Sequence, residues 1–264
     1  MGRRRLLAWY TLFGVAVSLA WQLAGDMNGS VRLLVSTPAR TLRYAVSERD
    51  KLFQDMCTTG IESALGLAIA VLVSLALMIL CLYYGKLYDW LFPLLFASQI
   101  VPLVTLAPFF ILLFGFGISA KVAMAVLLSF FPTFLAFARG VASIDRGTRE
   151  LVRVYAASKT FQVFRVFLPM SMPYLMTGVR VSAPLAVIGA IVGEFNGAMQ
   201  GLGRNLFIAA RRIEPELTVS SVALSTVIGG VFYLSVLSIE RLVAPWYESS
   251  RPDSVHRGVS HENR

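Results

Sequence analysis

The stretch that decides the fold is residues 90–120, WLFPLLFASQIVPLVTLAPFFILLFGFGISA, 31 residues without one Asp, Glu, Lys or Arg. A single α-helix of that length would measure about 46 Å at ~1.5 Å per residue, more than the ~30 Å of a bilayer's hydrocarbon core. Gly115-Phe116-Gly117 offers a break near its end, and Pro102 and Pro108 predict kinks before it. The stretch therefore divides into a third span at 91–114 and the start of a fourth at 119–138. Three further uncharged runs cover 6–25, 63–85 and 217–239. Each is close to or above the roughly 17–25 residues that cross a bilayer as a helix. A fifth span is predicted at 174–195, so the fold class is an all-α integral membrane protein with six transmembrane helices.

The composition of the 264-residue chain agrees: 56% of residues are apolar and only 15% charged. Mean hydropathy is +0.68. A soluble domain carries about 25% charge, so a soluble enzyme, a disulfide scaffold and a disordered tail are excluded. The net charge of +9 does not point to nucleic acid, because the basic residues lie between spans and in the tails. Cys57 and Cys81 form no metal or redox spacing, and His256 and His261 sit in the polar tail. No metal site is expected. Arg3-Arg4-Arg5 before an apolar run resembles a signal peptide, but the run exceeds a secretory core and reads as an uncleaved first span.

Four segments follow: a first transmembrane helix at 1–25, an extracytoplasmic segment at 26–60, a core of five transmembrane helices at 61–245 that includes the loop 142–170, and a cytoplasmic tail at 246–264. Within the second, residues 39–53 alternate Leu42, Val46 and Phe53 with Arg40, Arg43, Arg49 and Lys51, an amphipathic helix pattern. A second span is predicted at 61–83, a polar turn at 85–89, and a Gly-rich charged loop at 196–216. Placing the N-terminus inside puts fifteen Lys and Arg on cytoplasmic segments and nine outside, Lys121 among the nine. The positive-inside rule then favours both termini in the cytoplasm.

That orientation makes 142–170 a cytoplasmic loop. Glu150, Arg153, Lys159 and Arg165 interleave there with Leu151, Val154, Tyr155, Phe161 and Phe164. The pattern predicts two short amphipathic helices meeting at Ala156-Ala157-Ser158 and stopped by Leu168-Pro169. An exposed apolar face of this kind either docks into a partner or folds back on its own bundle. The pattern leaves both open.

The sequence from Glu150 to Pro169 resembles the EAA loop of binding-protein-dependent ABC importer permeases, the MetI-like type I family. The resemblance continues through Met172-Pro173-Tyr174, Thr177-Gly178-Val179-Arg180, Gly193-Glu194-Phe195 and Gly201-Leu202-Gly203. Upstream, Ile100-Val101-Pro102, Leu106-Ala107-Pro108 and 114–117 resemble the nitrate, sulfonate and taurine subfamily. Two departures stand out. The family's Glu-Ala-Ala is Glu150-Leu151-Val152 here, and its Gly is Ala156. Ala keeps the small volume but gives up glycine's access to positive φ, so a loop that needs that backbone would dock differently. The reading kept is a slightly altered, working socket.

The resemblance implies a type I importer permease fold with a cytoplasmic coupling helix. Glu150, Arg153, Ala156, Ala157, Ser158, Lys159, Phe161, Leu168 and Pro169 would form the contact with a separate ATPase. The chain has no Gly-x-x-x-x-Gly-Lys-Ser/Thr loop, so ATP and Mg would be bound by that partner, and no cofactor is expected here. Expected partners are two ATPase copies, a second permease copy, an extracytoplasmic solute-binding protein and membrane lipid, with no nucleic acid. The location implied is the cell inner membrane. The expected solute is small and polar or anionic, of nitrate, sulfonate or taurine type; a pyrimidine thiamine precursor is the alternative.

Gly189, Gly193 and Gly197 repeat at every fourth position and predict a small-residue face for close helix approach, within the bundle before across a dimer. Arg180 reads as a structural residue that snorkels. Glu194 either lines the pathway mouth or satisfies the 201–203 loop, the loop being favoured. Further pathway candidates are Ser98, Gln99, Thr105, Ser129, Thr133 and Asn196, although hydroxyls in membrane helices commonly bond their own backbone. A secondary transporter would show an inverted repeat and paired intramembrane acids, neither of which is read here.

Overall fold

The computed structural model describes Trp9, Ala16 and residues 19–23, 36–195 and 197–243. Most of the expected first span, the tail with His256 and His261, and Asn196 lie outside the described residues. The described residues are helical, with no strand among them. In chain order they form α1 (Pro38–Ser47), α2 (Arg49–Tyr83), α3 (Gly85–Ser98), α4 (Leu103–Phe114), α5 (Ile118–Ala142) and α6 (Arg146–Val154). Then come a one-turn α7 (Lys159–Phe161), a π-helical turn (Gln162–Phe167), α8 (Leu168–Glu194), α9 (Leu202–Arg212) and α10 (Pro215–Val243).

Among the described residues four helices are long and apolar enough to cross a membrane: α2, α5, α10, and the continuous run Lys159–Glu194. The third span is built differently. It is two short helices, α3 and α4, separated at residues 99–102. Pro102 causes the break, since a proline ring pushes the preceding residue out of the α region and supplies no N–H. It takes φ −60 and ψ 109 at the start of α4. Pro93 and Pro108, by contrast, stay inside their helices. Gly115, at φ +77, then ends α4 where the sequence placed a break.

Several boundaries differ from expectation. The amphipathic helix expected over 39–53 is cut at Glu48, whose φ of −103 leaves the helical region. Its second half belongs to the 35-residue α2, so the second span begins well before Ile61. The polar turn expected at 85–89 shrinks to Tyr84, because 85–89 form the first turns of α3. The loop expected at 196–216 contains the helix α9. Leu168-Pro169 does not stop a helix. The π-helical turn before it has Leu168 N–H bonding Val163 O, five residues back, and that wider register carries the helix past Pro169.

The chain divides into two compact units, residues 1–59 with 194–227 and residues 60–193 with 228–264. In the second, Phe134 and Phe137 of α5 are fully buried among Met78, Cys81, Leu175, Val179, Ala183 and Val236. Small residues bring the helices close: a Cβ on Gly66 would stand 2.3 Å from Ala125 Cβ, and one on Gly189 would stand 2.6 Å from Ala125 Cα. Gly193 backs onto Lys121 in the same way. The small-residue face therefore packs within one bundle. Gly197 is not part of it, since α8 ends at Glu194 and Gly197 takes φ +104 beyond it. In the first unit, Leu52, Ala209 and Leu217 pack with Tyr44, Ala45 and Leu224.

Candidate functional site

The loop at 142–170 is closed by local caps. Asp145 starts α6 by accepting from Thr148 N–H at 2.7 Å and from the Thr148 hydroxyl at 2.6 Å. The Thr148 hydroxyl and N–H hold the Asp145 carboxyl below the usual carboxylate range. That cap acts above the ordinary carboxylate pKa and is lost as pH falls through the lowered value. At the other end, Ala156 N–H bonds Arg153 O at 2.9 Å and Ala157 N–H bonds Val152 O at 3.3 Å. These are the paired bonds of a Schellman ending, in which the residue after the cap turns left-handed. Here that residue is Ala156, at φ +46. Ser158 then caps α7 by accepting from Phe161 N–H, and Gln162 Nε2 donates to Ala157 O at 2.8 Å.

The departure at Ala156 is thus resolved: the left-handed backbone is kept and an alanine adopts it. An L-residue there loses roughly 1–2 kcal/mol relative to glycine. Ala156→Gly is expected to stabilise the turn by about 1 kcal/mol, slowing hydrogen exchange at Ala157 N–H about five-fold. Unchanged exchange would mean the alanine carries no strain.

The loop's apolar side chains divide. Val152 and Val163 turn inward at 7% and 1% exposure, while Leu151, Val154, Tyr155 and Phe161 are 58%, 82%, 76% and 52% exposed. Glu150, Arg153, Ala156, Ser158 and Lys159 are exposed, Ala157, Leu168 and Pro169 half-buried. Tyr83 at the end of α2 hydrogen-bonds Thr160 at 3.0 Å, fixing α7 to its bundle. What remains is a row of apolar side chains with a carboxylate beside it, exposed among the described residues of its own unit.

The pathway candidates do not gather into one site. Ser129 and Thr133 are fully buried and donate to Ala125 O and Ser129 O, with Ser182 2.8 Å from Thr133. Ser98 and Thr105 donate to Leu95 O and Pro102 O on either side of the break in the third span. Gln99 begins that break, where Ile100 and Val101 are 74% and 41% exposed. Glu194 is fully buried, accepting from the Thr59 hydroxyl at 2.7 Å and from Gly203 N–H at 2.5 Å.

Sequence reasoning missed the rest of that carboxylate's setting. Asp55 accepts from Gly201 N–H and from Asn205 Nδ2, each at 2.8 Å, while Thr59 accepts from Leu202 N–H at 2.9 Å. Two buried acids and a hydroxyl thereby satisfy the first N–H groups of α9, where the helix dipole favours negative charge. Gly201 is required, since at φ +118 a Cβ would fall 2.3 Å from Glu194 Oε1. Gly201→Ala should destabilise this unit by about 1–3 kcal/mol through its backbone alone. Faster proteolysis at 195–205 in detergent would report it; wild-type resistance would refute the clamp.

Two ion pairs also escaped the sequence reading. Lys121, counted among the outer charges at the start of the fourth span, is buried rather than solvent-facing. It is 8% exposed on α5 with Nζ 3.0 Å from Glu62 Oε1, and Glu62 is 1% exposed. Arg180 does not simply snorkel either, because it pairs with Glu240 on α10. Neither partner is within fifty residues in sequence, so no local pattern announces the pairs. A charge deep in a bilayer is tolerated where such a partner is present.

Comparison with known proteins decides the family. Residues 66–249 match the family described as the binding-protein-dependent transport system inner membrane component. The chain belongs to that family. This ABC importer permease is 31% identical to the formylaminopyrimidine transport permease protein ThiX of Halalkalibacterium halodurans over 236 residues, 89% of this chain and 94% of the relative. It is 28% identical to the putative aliphatic sulfonates transport permease protein SsuC of Escherichia coli over 247 residues, 92% of each chain. Among solved structures, an inward-facing MetNI methionine ABC transporter chain matches at TM-score 0.58 and 18% identity, covering 74% of this permease and 94% of that chain. The permease is a multi-pass inner-membrane subunit, whose family implies an ATPase and a solute-binding protein as partners and which is not itself an enzyme.

Proposed function

We propose that this permease carries a small polar solute inward, and that the loop at 142–170 is where its ATPase docks. One observation carries the docking: Leu151, Val154, Tyr155 and Phe161 stand exposed on a helix pair rigidly capped at both ends. Apolar side chains on a water-facing loop require a partner, and a preformed helix presents them at low entropic cost. Glu150 lies beside that row and supplies a charged contact to a basic residue of the partner. Both termini lie in the cytoplasm, two permease copies pair with two ATPase copies, and the ATPase binds ATP and Mg.

The solute path runs along the break in the third span. Non-helical backbone at membrane depth is tolerated where it is covered by protein or lines a watery cavity. Residues 99–102 are such a segment, and Ser98, Gln99 and Thr105 flank it. Glu194, Ser129 and Thr133 hold the structure rather than touch solute.

Formylaminopyrimidine is the first solute to test, favoured over a sulfonate or taurine by the 31% identity to ThiX across nearly the full chain. In a deletion strain complemented with the permease, its ATPase and its binding protein, uptake of labelled formylaminopyrimidine is expected. Uptake of an alkanesulfonate instead would move the assignment to the sulfonate relatives. Uptake of neither would overturn both.

A further inference from the structure

We propose that Arg149 is the strut that transmits movement of the docking loop to the membrane helices. Its guanidinium touches three elements at once. Nε–H donates to Ile144 O at 3.2 Å and Nη2 donates to Val141 O at 2.5 Å, both carbonyls at or just past the C-terminal end of α5. The same group stacks over Phe167, its Cζ 5.5 Å from the ring centroid, where the π-helical turn joins α8. Arg149 itself belongs to α6, the helix whose outer face presents Leu151 and Val154.

The chemistry suits this position. A helix leaves its last carbonyls without intrahelical donors, and a cation near them also complements the helix dipole. A planar guanidinium can make two fixed hydrogen bonds and stack on an aromatic ring together, which a lysine ammonium does not reproduce. The covalent links from α6 to its neighbours are short non-helical segments, capped within the loop but without a helical connection to the spans. Residues 143–145 are a short connection on one side, and 155–158 turn through a left-handed alanine on the other. The π-helical turn interrupts the i−4 ladder below α8, and such turns are local weak points in a helix. With Arg149 in place, α6, the end of α5 and the root of α8 move as one body. Without it, α6 can shift on its connections while the spans stay where they are.

This inference rests on the docking reading, and the test separates the two. Cys57 and Cys81 are replaced by Ser, and single cysteines carrying a bimane fluorophore are placed at Ser158 in the loop or at Ser119, exposed at the far end of α5. The permease is assembled with its ATPase in nanodiscs, and fluorescence is compared without nucleotide and with ATP and vanadate. In the parent both reporters respond. In Arg149→Lys and Arg149→Gln, assembly and ATP hydrolysis are expected to stay within two-fold of parent. Ser158 should keep its response while that at Ser119 falls at least ten-fold. A residue that merely stabilised the fold would lower assembly and both responses together, and that result overturns the proposal, as does a full response at Ser119. Ala156→Trp serves as the control: if it too assembles and responds at Ser158, the docking reading has failed rather than the strut.

Discussion

Glu150→Ala is expected to abolish most transport while leaving the permease folded and in the membrane. Glu150 is exposed on α6, and its side chain makes no hydrogen bond or ion pair among the described residues. An ordinary surface substitution changes stability by about 0.5 kcal/mol or less. On the docking proposal the same carboxylate would become a desolvated interfacial charge, whose truncation costs about 2–5 kcal/mol. At ~1.4 kcal/mol per factor of ten, affinity for the ATPase falls between about thirty-fold and several thousand-fold. Ala156→Trp should act as strongly by a different route, adding bulk at an exposed turn that must already hold φ +46. Pull-down of the ATPase against membrane abundance measures both. Unchanged pull-down in both variants would leave the exposed row without the proposed partner.

Lys121→Met is expected to produce the largest loss of stability. It takes the cation from Glu62, which is 1% exposed and 3.0 Å away. Breaking a buried pair at one end typically costs 3–5 kcal/mol, because the remaining buried charge loses its counter-ion. Removing both charges is often nearly neutral, so Lys121→Met with Glu62→Leu should recover most of the loss. Thermal melting in detergent distinguishes the cases. A single variant as stable as the parent would show that the pair contributes nothing.

These expectations mark where the sequence was readable and where it was not. The uncharged run 90–120 announced a membrane span, and Gly115-Phe116-Gly117 its end, because absence of charge and loss of helix propensity are local properties. The unwound segment at 99–102 was less plain: three prolines lie in the stretch, and only tertiary packing selects Pro102 as the break. Of the two short helices expected around 156–158, the first was legible from spacing as α6, whereas the second is the start of the continuous run Lys159–Glu194. The left-handed turn between them was not, since alanine gives no sign of it, although the resemblance pointed to that position. Leu168-Pro169 misled because proline ordinarily ends a helix, and a π-helical turn has no sequence signature of its own.

The carboxylates show the same division. Glu194 stood out as an acid at the end of an apolar run. Asp55 and Thr59 lie in the segment 26–60 and drew no functional reading from the sequence; their use appears only once residues 201–205 fold onto them. Lys121 separates two uncharged runs and, although inside the fourth span expected at 119–138, was counted with the outer charges. Its burial depends on a partner 59 residues away, which no window of local sequence contains.

The central claim is that the loop at 142–170 seats in an ATPase. Site-specific cross-linking tests it most directly: a photoreactive group is placed at Val154, 82% exposed on α6, and in a second protein at Met199, 84% exposed beyond α8. The permease is assembled with its ATPase and illuminated in the membrane. An adduct with the ATPase from Val154 and none from Met199 is the predicted result. An adduct from Met199 alone, or from neither in an assembled complex, would contradict the account.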